Sequence, residues 1–232
     1  MTGFLALDEG AVRWVWDLLR QTYGDLSREP SNDPLGELVA TILSQHTSDT
    51  NSGRAYETLR QTFSSWEAVR DAPEQAVADA IRAGGLASIK ARRIQNILRE
   101  LSTRESSGLA KLPAFENMEV SEALAFLQSL NGVGPKTAAC VLLFALHRPV
   151  FPVDTHVLRV TTRLGWLAEH TNAEAAFDIL DESVPGELKL SLHLLLIRHG
   201  RDVCHSQRPA CPTCQIRSRC RYFRQLSIRT SE

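Results

Sequence analysis

The sequence predicts an all-α protein, and three observations carry that prediction. Apolar residues recur at intervals of three and four nearly throughout, no stretch alternates convincingly as a strand, and the breaks hold residues that start or stop helices. Val12, Val15, Trp16 and Leu19 form the first stripe. Leu35, Leu38, Val39, Ile42 and Leu43 form the second, entered through Asp33 as the cap and Pro34 in the first turn, where a missing N–H costs nothing. Tyr56, Leu59 and Phe63 mark the next. Residues 73–83 read as one helix closing on Gly84-Gly85. Ile94, Ile97, Leu98 and Leu101 give another, with Lys90, Arg92, Arg93 and Arg99 as its basic face. Segments 122–130 and 136–146 are also amphipathic. The expected total is about ten helices, without repeats or low-complexity linkers. The Ser- and Gly-bearing stretch 103–117 is expected to be a mobile loop.

At 232 residues the chain can bury one large core or two modest ones. Its first residues lack a basic start and a long apolar stretch, and no later run approaches the roughly 18 residues a membrane helix needs. A soluble, intracellular (cytoplasmic) protein is the expectation. Net charge is −1, but residues 196–232 hold eight arginines against two acids. That asymmetry suits a polyanionic partner, and equally suits compensation of a negative centre held nearby.

Between segments 122–130 and 136–146 lies Leu130-Asn131-Gly132-Val133-Gly134-Pro135-Lys136-Thr137-Ala138. Two glycines around one apolar residue allow a tight hairpin, Pro135 suits a first helical position, and the amides of the new helix are left facing outward. Such a turn can seat a phosphate through backbone N–H groups and grip nucleic acid without reading its sequence. An ordinary interhelical turn would look the same in isolation.

Cys204, Cys211, Cys214 and Cys220 are spaced C-x6-C-x2-C-x5-C. Four thiolates at that spacing can converge on a soft metal centre, an iron-sulfur cluster or zinc. The single C-x2-C pair and uneven gaps favour a cubane cluster, whose irons are spread out. Disulfides are the alternative, disfavoured without a secretory segment. Cys140, in an apolar run, reads as core.

Taken with Val153-Asp154-Thr155-His156-Val157, Arg159-Val160 and the four-cysteine loop, the glycine hairpin resembles the endonuclease III family of DNA glycosylases, in the helix-hairpin-helix superfamily. Leu43-Ser44-Gln45 with Thr47 and Asp49, Gly85-Leu86 before Lys90-Ala91, His193 and His199-Gly200 fall in the same pattern. The resemblance covers nearly the whole chain. It implies two helical domains flanking a DNA-binding cleft: a six-helix barrel with the hairpin over residues 26–148, and a domain of 1–25 plus 149–232 carrying a mainly structural 4Fe-4S cluster on the four cysteines.

The resemblance also implies roles. Lys136 would attack C1' of a damaged nucleoside, which needs a neutral amine although an ordinary lysine titrates near ~10.4. A helix N-terminus and partial burial both disfavour its cation. Asp154 would stabilise the oxocarbenium character while also capping its helix. Base extrusion leaves a gap, for which Gln45 and Leu86 are the filling and wedging candidates, with His46 lining the pocket. Gly132, Val133, Gly134 and Thr137 would hold DNA.

The implied partner is double-stranded DNA with damaged bases or abasic sites, bound by a monomer, with oxidised pyrimidines as the default substrate. Mismatched uracil or thymine, a glycosylase without lyase action, a non-cleaving binder of damaged DNA and an oxidant-sensing cluster protein stay open. Pro135 departs from the family pattern by standing where many relatives carry a basic residue.

Overall fold

The computed structural model describes residues 7–104 and 115–229, and among these it is helical with short 3-10 turns and no strand. In chain order the helices are α1 (Glu9–Tyr23), α2 (Pro34–Ser44), α3 (Asp49–Thr62), α4 (Trp66–Asp71), α5 (Glu74–Ala80), α6 (Ala87–Arg104), α7 (Val120–Gln128), α8 (Pro135–Leu146), α9 (Thr155–Leu164), α10 (Ala173–Ser183), α11 (Lys189–Asp202) and α12 (Arg221–Arg229). The count exceeds the periodicity-based expectation because α4 and α5 span less than two turns each and show no period of their own. No helix among the described residues is long and apolar enough to cross a membrane. The chain divides into two compact units, Pro30–Arg148 and the combination of Met1–Glu29 with Pro149–Glu232.

In the unit Pro30–Arg148, α8 is the central element. Thr137 through Ala145 are all buried, so this helix is apolar on every side and packs principally on α2. The entry to α2 is as the sequence implies: Asp33 Oδ1 accepts from Gly36 N at 2.9 Å, with Pro34 in the first turn. Helix α6 buries Ile94, Ile97, Leu98 and Leu101. It also buries Gln95, whose Nε2 donates to the carbonyls of Val69 at 2.9 Å and Ala72 at 2.8 Å. Those carbonyls close α4, so a side chain from another helix satisfies acceptors that a helix end leaves over.

Three expectations are corrected in this unit. The segment 73–83 is not one α-helix: α5 stops at Ala80 and the chain tightens into a 3-10 turn, Arg82–Gly84, because Gly84 lies so close to Ala55 that a Cβ would stand 3.2 Å from its methyl. Lys90 is not part of a basic face. It shares its side of α6 with Ile94 and Ile97 and is only 2% exposed, whereas Arg92 pairs with Glu74 at 3.1 Å outside. Within 103–117, Thr103 and Arg104 continue α6 and Phe115–Asn117 forms a 3-10 turn, with Phe115 buried and its carbonyl held by Arg148 Nη1 at 2.9 Å. The expected mobile loop otherwise falls on residues 105–114, outside the described residues.

The other unit packs α1, through Val12, Val15 and Leu19, against α11, and Trp16 Nε1 donates to Ser191 Oγ at 2.8 Å. The buried segment Phe151-Pro152-Val153 is pinned by polar bonds. Phe151 N and Lys189 Nζ both donate to Asp181 Oδ1 at 2.7 Å, Lys189 Nζ also donates to Pro149 O at 2.8 Å, and His193 Nδ1 lies 2.9 Å from Pro152 O. This pinned segment delivers Asp154.

Gln95→Met keeps the apolar volume but strips the donors from the end of α4. Chemical denaturation is expected to show a loss of about 1–3 kcal/mol, the cost of leaving buried acceptors unpaired.

Candidate active site

The hairpin after α7 is built as its glycines require. Gly132 has φ 82°, and a Cβ there would lie 3.0 Å from Arg93 Nε, so both conformation and space call for glycine. Leu130 and Val133 anchor the turn in the core, and Val133 N donates to Leu130 O at 3.1 Å. Gly134 occupies the N-cap of α8 with Pro135 after it, and no side chain caps this end. The first amides of α8 are therefore available to an anion, with the positive end of the helix behind them.

Lys136 follows in the first turn of that helix, half-buried. The chain has only four lysines, at 90, 111, 136 and 189. Lys90 Nζ donates to the carbonyls of Leu43 (2.8 Å) and Gly84 (2.7 Å), and Lys189 is held by Pro149 O and Asp181; Lys111 is outside the described residues. Lys136 is thus the described lysine that the fold presents beside an anion seat.

Two further turns belong to the same unit. Gln45 is the C-cap of α2; its Oε1 accepts from Arg93 Nη1 at 2.8 Å and its Nε2 donates to Thr137 Oγ1 at 3.4 Å. Gln45, Thr137 and Gly132 are brought together, with Arg93 the group that joins them. Counting Arg93 into a solvent-facing basic stripe is what hides this role in the sequence. His46 is exposed in the left-handed region at φ 55°. Leu86 is left-handed too, at φ 48°, and 53% exposed, with Ile89 59% exposed one turn later. A bulky residue held in that backbone region costs about 1–3 kcal/mol, so Leu86 is displayed rather than stored in the core.

Asp154 lies in the other unit, at the N-cap of α9, where its Oδ1 accepts from Val157 N at 2.7 Å. The cap uses one carboxylate oxygen of two. Helix α9 is fastened to α11 and the cysteine loop. Arg159 donates from Nε to Cys204 O and from Nη2 to Gly200 O, both at 2.8 Å, and a Cβ on Gly200 would stand 2.9 Å from His156 Cβ. Two turns after Asp154, Arg163 Nη1 donates to His205 O at 2.6 Å and its guanidinium lies 4.7 Å over Tyr222.

The four cysteines Cys204, Cys211, Cys214 and Cys220 line one small cavity, walled by Leu164 and Ile216. None of them forms a disulfide, and Cys140 is buried as its run implies. Among the described residues no three His, Cys, Asp or Glu side chains converge tightly enough for a single ion. Burial raises the Cys211 and Cys220 thiols above their ordinary values and pushes Cys214 up to about 11, so thiolates here call for a cationic centre. His199, lowered to about 4 by burial, is a neutral imidazole with Nδ1 3.0 Å from Tyr23 Oη and Nε2 3.5 Å from Cys214 Sγ. Tyr23, Arg159 and Arg163 support the loop without any spacing motif that would flag all three.

Comparison with known proteins supplies the family. Residues 39–185 match the HhH-GPD superfamily of base excision DNA repair proteins. The chain is 39% identical over 176 residues to a putative DNA glycosylase of Arabidopsis thaliana, covering 76% of this chain and 59% of that protein. It is 34% identical over 190 residues to the endonuclease III of Sulfolobus acidocaldarius, covering 80% and 81%. Among solved structures, endonuclease III in a non-covalent complex with DNA superposes with a TM-score of 0.78 at 27% identity, over 94% of this chain and 98% of that one. The chain accordingly belongs to the HhH-GPD superfamily, and within it is an endonuclease III-like DNA glycosylase of base excision repair.

Proposed function

We propose that the chain is a bifunctional enzyme, removing oxidised pyrimidines from duplex DNA and then cleaving the abasic strand, with Lys136 as nucleophile, Asp154 as its carboxylate and a 4Fe-4S cluster on Cys204, Cys211, Cys214 and Cys220. The observation that carries this reading is Lys136 in the first turn of α8, directly behind an uncapped helix end fit for a phosphate. A glycosylase without lyase action needs no nucleophilic amine there, only at most a cation for the phosphate.

The chemistry follows from the groups. The Lys136 Nζ lone pair forms a bond to C1' as the N-glycosidic bond breaks, and the base leaves with that electron pair and takes up a proton. Opening of the sugar gives an iminium ion. Loss of a C2' proton then expels the 3' phosphate by β-elimination. Asp154, oriented by its own cap bond to Val157 N, supplies negative charge to the oxocarbenium-like state and accepts the proton that the amine gives up. Gln45 and Leu86, presented on two turns of one unit, fill and wedge the gap that extrusion leaves, His46 lines the pocket, and the Gly132-Val133-Gly134 turn with Thr137 holds the backbone phosphate, Val133 N itself being spent on Leu130 O. A cluster held by Cys204, Cys211, Cys214 and Cys220 would supply a cationic core for the buried thiolates and tie the loop down. Titratable thiols around one cavity, with Arg163 and His199 at its wall, fit such a group.

Borohydride trapping tests the reading directly, on duplexes carrying an abasic site, thymine glycol or uracil. A covalent adduct is expected with thymine glycol and the abasic site and is expected to vanish in Lys136→Ala; DNA binding without an adduct would leave a non-cleaving binder. Asp154→Asn retains an oxygen for the cap, so its melting temperature should stay near the parent's while excision falls by about 10²-fold or more, the scale of a lost charge-stabilising group. Cys214→Ala is expected to purify with depleted iron and without the visible absorption of the parent. Unchanged iron in that variant would remove Cys214 from the ligand set.

A further inference from the structure

Among the described residues of its unit Lys90 is the most deeply buried charged side chain, at 2% exposure against 6% for Glu37, and two backbone carbonyls accept from it. Its Nζ donates to Leu43 O at 2.8 Å and to Gly84 O at 2.7 Å. These carbonyls come from separate elements. Leu43 lies in the last turn of α2, two residues before Gln45, and Gly84 ends the 3-10 turn two residues before Leu86. The backbones are already close, since a Cβ on Gly84 would stand 3.8 Å from Leu43 O. Lys90 N also donates to Leu86 O at 3.0 Å, so one residue grips the Leu86 turn through main chain and side chain together.

Both turns are strained in the same way, each holding a bulky non-glycine residue in the left-handed region, His46 at φ 55° and Leu86 at φ 48°. Such conformations persist only where the surroundings over-determine them. An ammonium is a costly way to do this in a core, because a well-packed apolar residue of similar size is often no worse for stability. What it offers instead is geometry: three directed donors on one atom, at the negative end of α2. One turn along the same helix, Arg93 holds Gln45 Oε1 at 2.8 Å, so α6 fixes the first turn twice.

We infer that Lys90 is a positioning residue for strand opening, clipping the Gln45 turn to the Leu86 turn so that both enter DNA at one fixed separation. Lys90 touches no substrate in this account. The inference rests on the proposed roles of Gln45 and Leu86, and its test separates the two.

The probe is a duplex with 2-aminopurine opposite a tetrahydrofuran abasic analogue, which reports insertion into the gap without depending on base preference or chemistry. Undamaged duplex of the same length gives general DNA affinity. Lys90→Met is expected to bind undamaged duplex within about twofold of the parent, yet to lose the fluorescence change and to bind the abasic duplex about 10- to 100-fold more weakly, the scale of an ångström-level misplacement. Leu86→Ala should then cost much less in the Lys90→Met background than alone, because the wedge is already misplaced. Equal weakening on both duplexes would make Lys90 a structural residue only, and an unchanged fluorescence response would likewise overturn the inference. If Gln45→Ala and Leu86→Ala leave the response intact, the reading of the turns fails instead. Should Lys90→Met not fold, Lys90→Arg, which keeps donors but changes their reach, decides by the same comparison.

Discussion

An α-helix leaves four amides unpaired at one end and four carbonyls at the other, and in this chain nearly every residue of functional interest sits at such an end. Gln45 is a C-cap, Leu86 immediately precedes α6, Gly132 to Lys136 open α8, and Asp154 caps α9. An all-α protein has few other places where backbone polarity is free to meet a ligand. Where the fold needs its ends closed it closes them with side chains, as Gln95 does for α4 and Lys90 for α2 and the Gly84 turn. The starts of α5, α8 and α11 carry no side-chain cap, and of these α8 is the one that opens from the glycine hairpin and carries Lys136.

The same constraint explains what could be read in the sequence. Caps and glycine turns are local chemistry, so Asp33-Pro34, Gly132-Val133-Gly134 and Asp154 were legible, whereas α8, which reads as amphipathic, is buried on every side from Thr137 to Ala145. The four cysteines were legible as a set because their chemistry is rare and their spacing short. What escaped was set by burial. Lys90 looks like one more cation among Arg92, Arg93 and Arg99 until α6 is placed, after which it faces inward with Ile94 and Ile97. Arg93 was miscounted for the same reason. The break between α5 and the Arg82–Gly84 turn depends on how closely Gly84 approaches Ala55, which no periodicity records.

Pro135 leaves the hairpin without a cation of its own, and the fold compensates from elsewhere: the Arg93 guanidinium lies against Gly132. In the other unit, arginines act on the cysteine loop. Arg159 and Arg163 on α9 hold the carbonyls of Cys204 and His205, so the helix that Asp154 caps and the loop that carries the thiols form one packed assembly.

The central claim is that the uncapped start of α8 presents the nucleophile. Because the chain has only four lysines, peptide mapping of the reduced protein–DNA adduct by mass spectrometry decides it cleanly. The account predicts the deoxyribose remnant on the peptide containing Lys136 and on no other. A remnant on Lys90, Lys111, Lys189 or the terminal amine would contradict it.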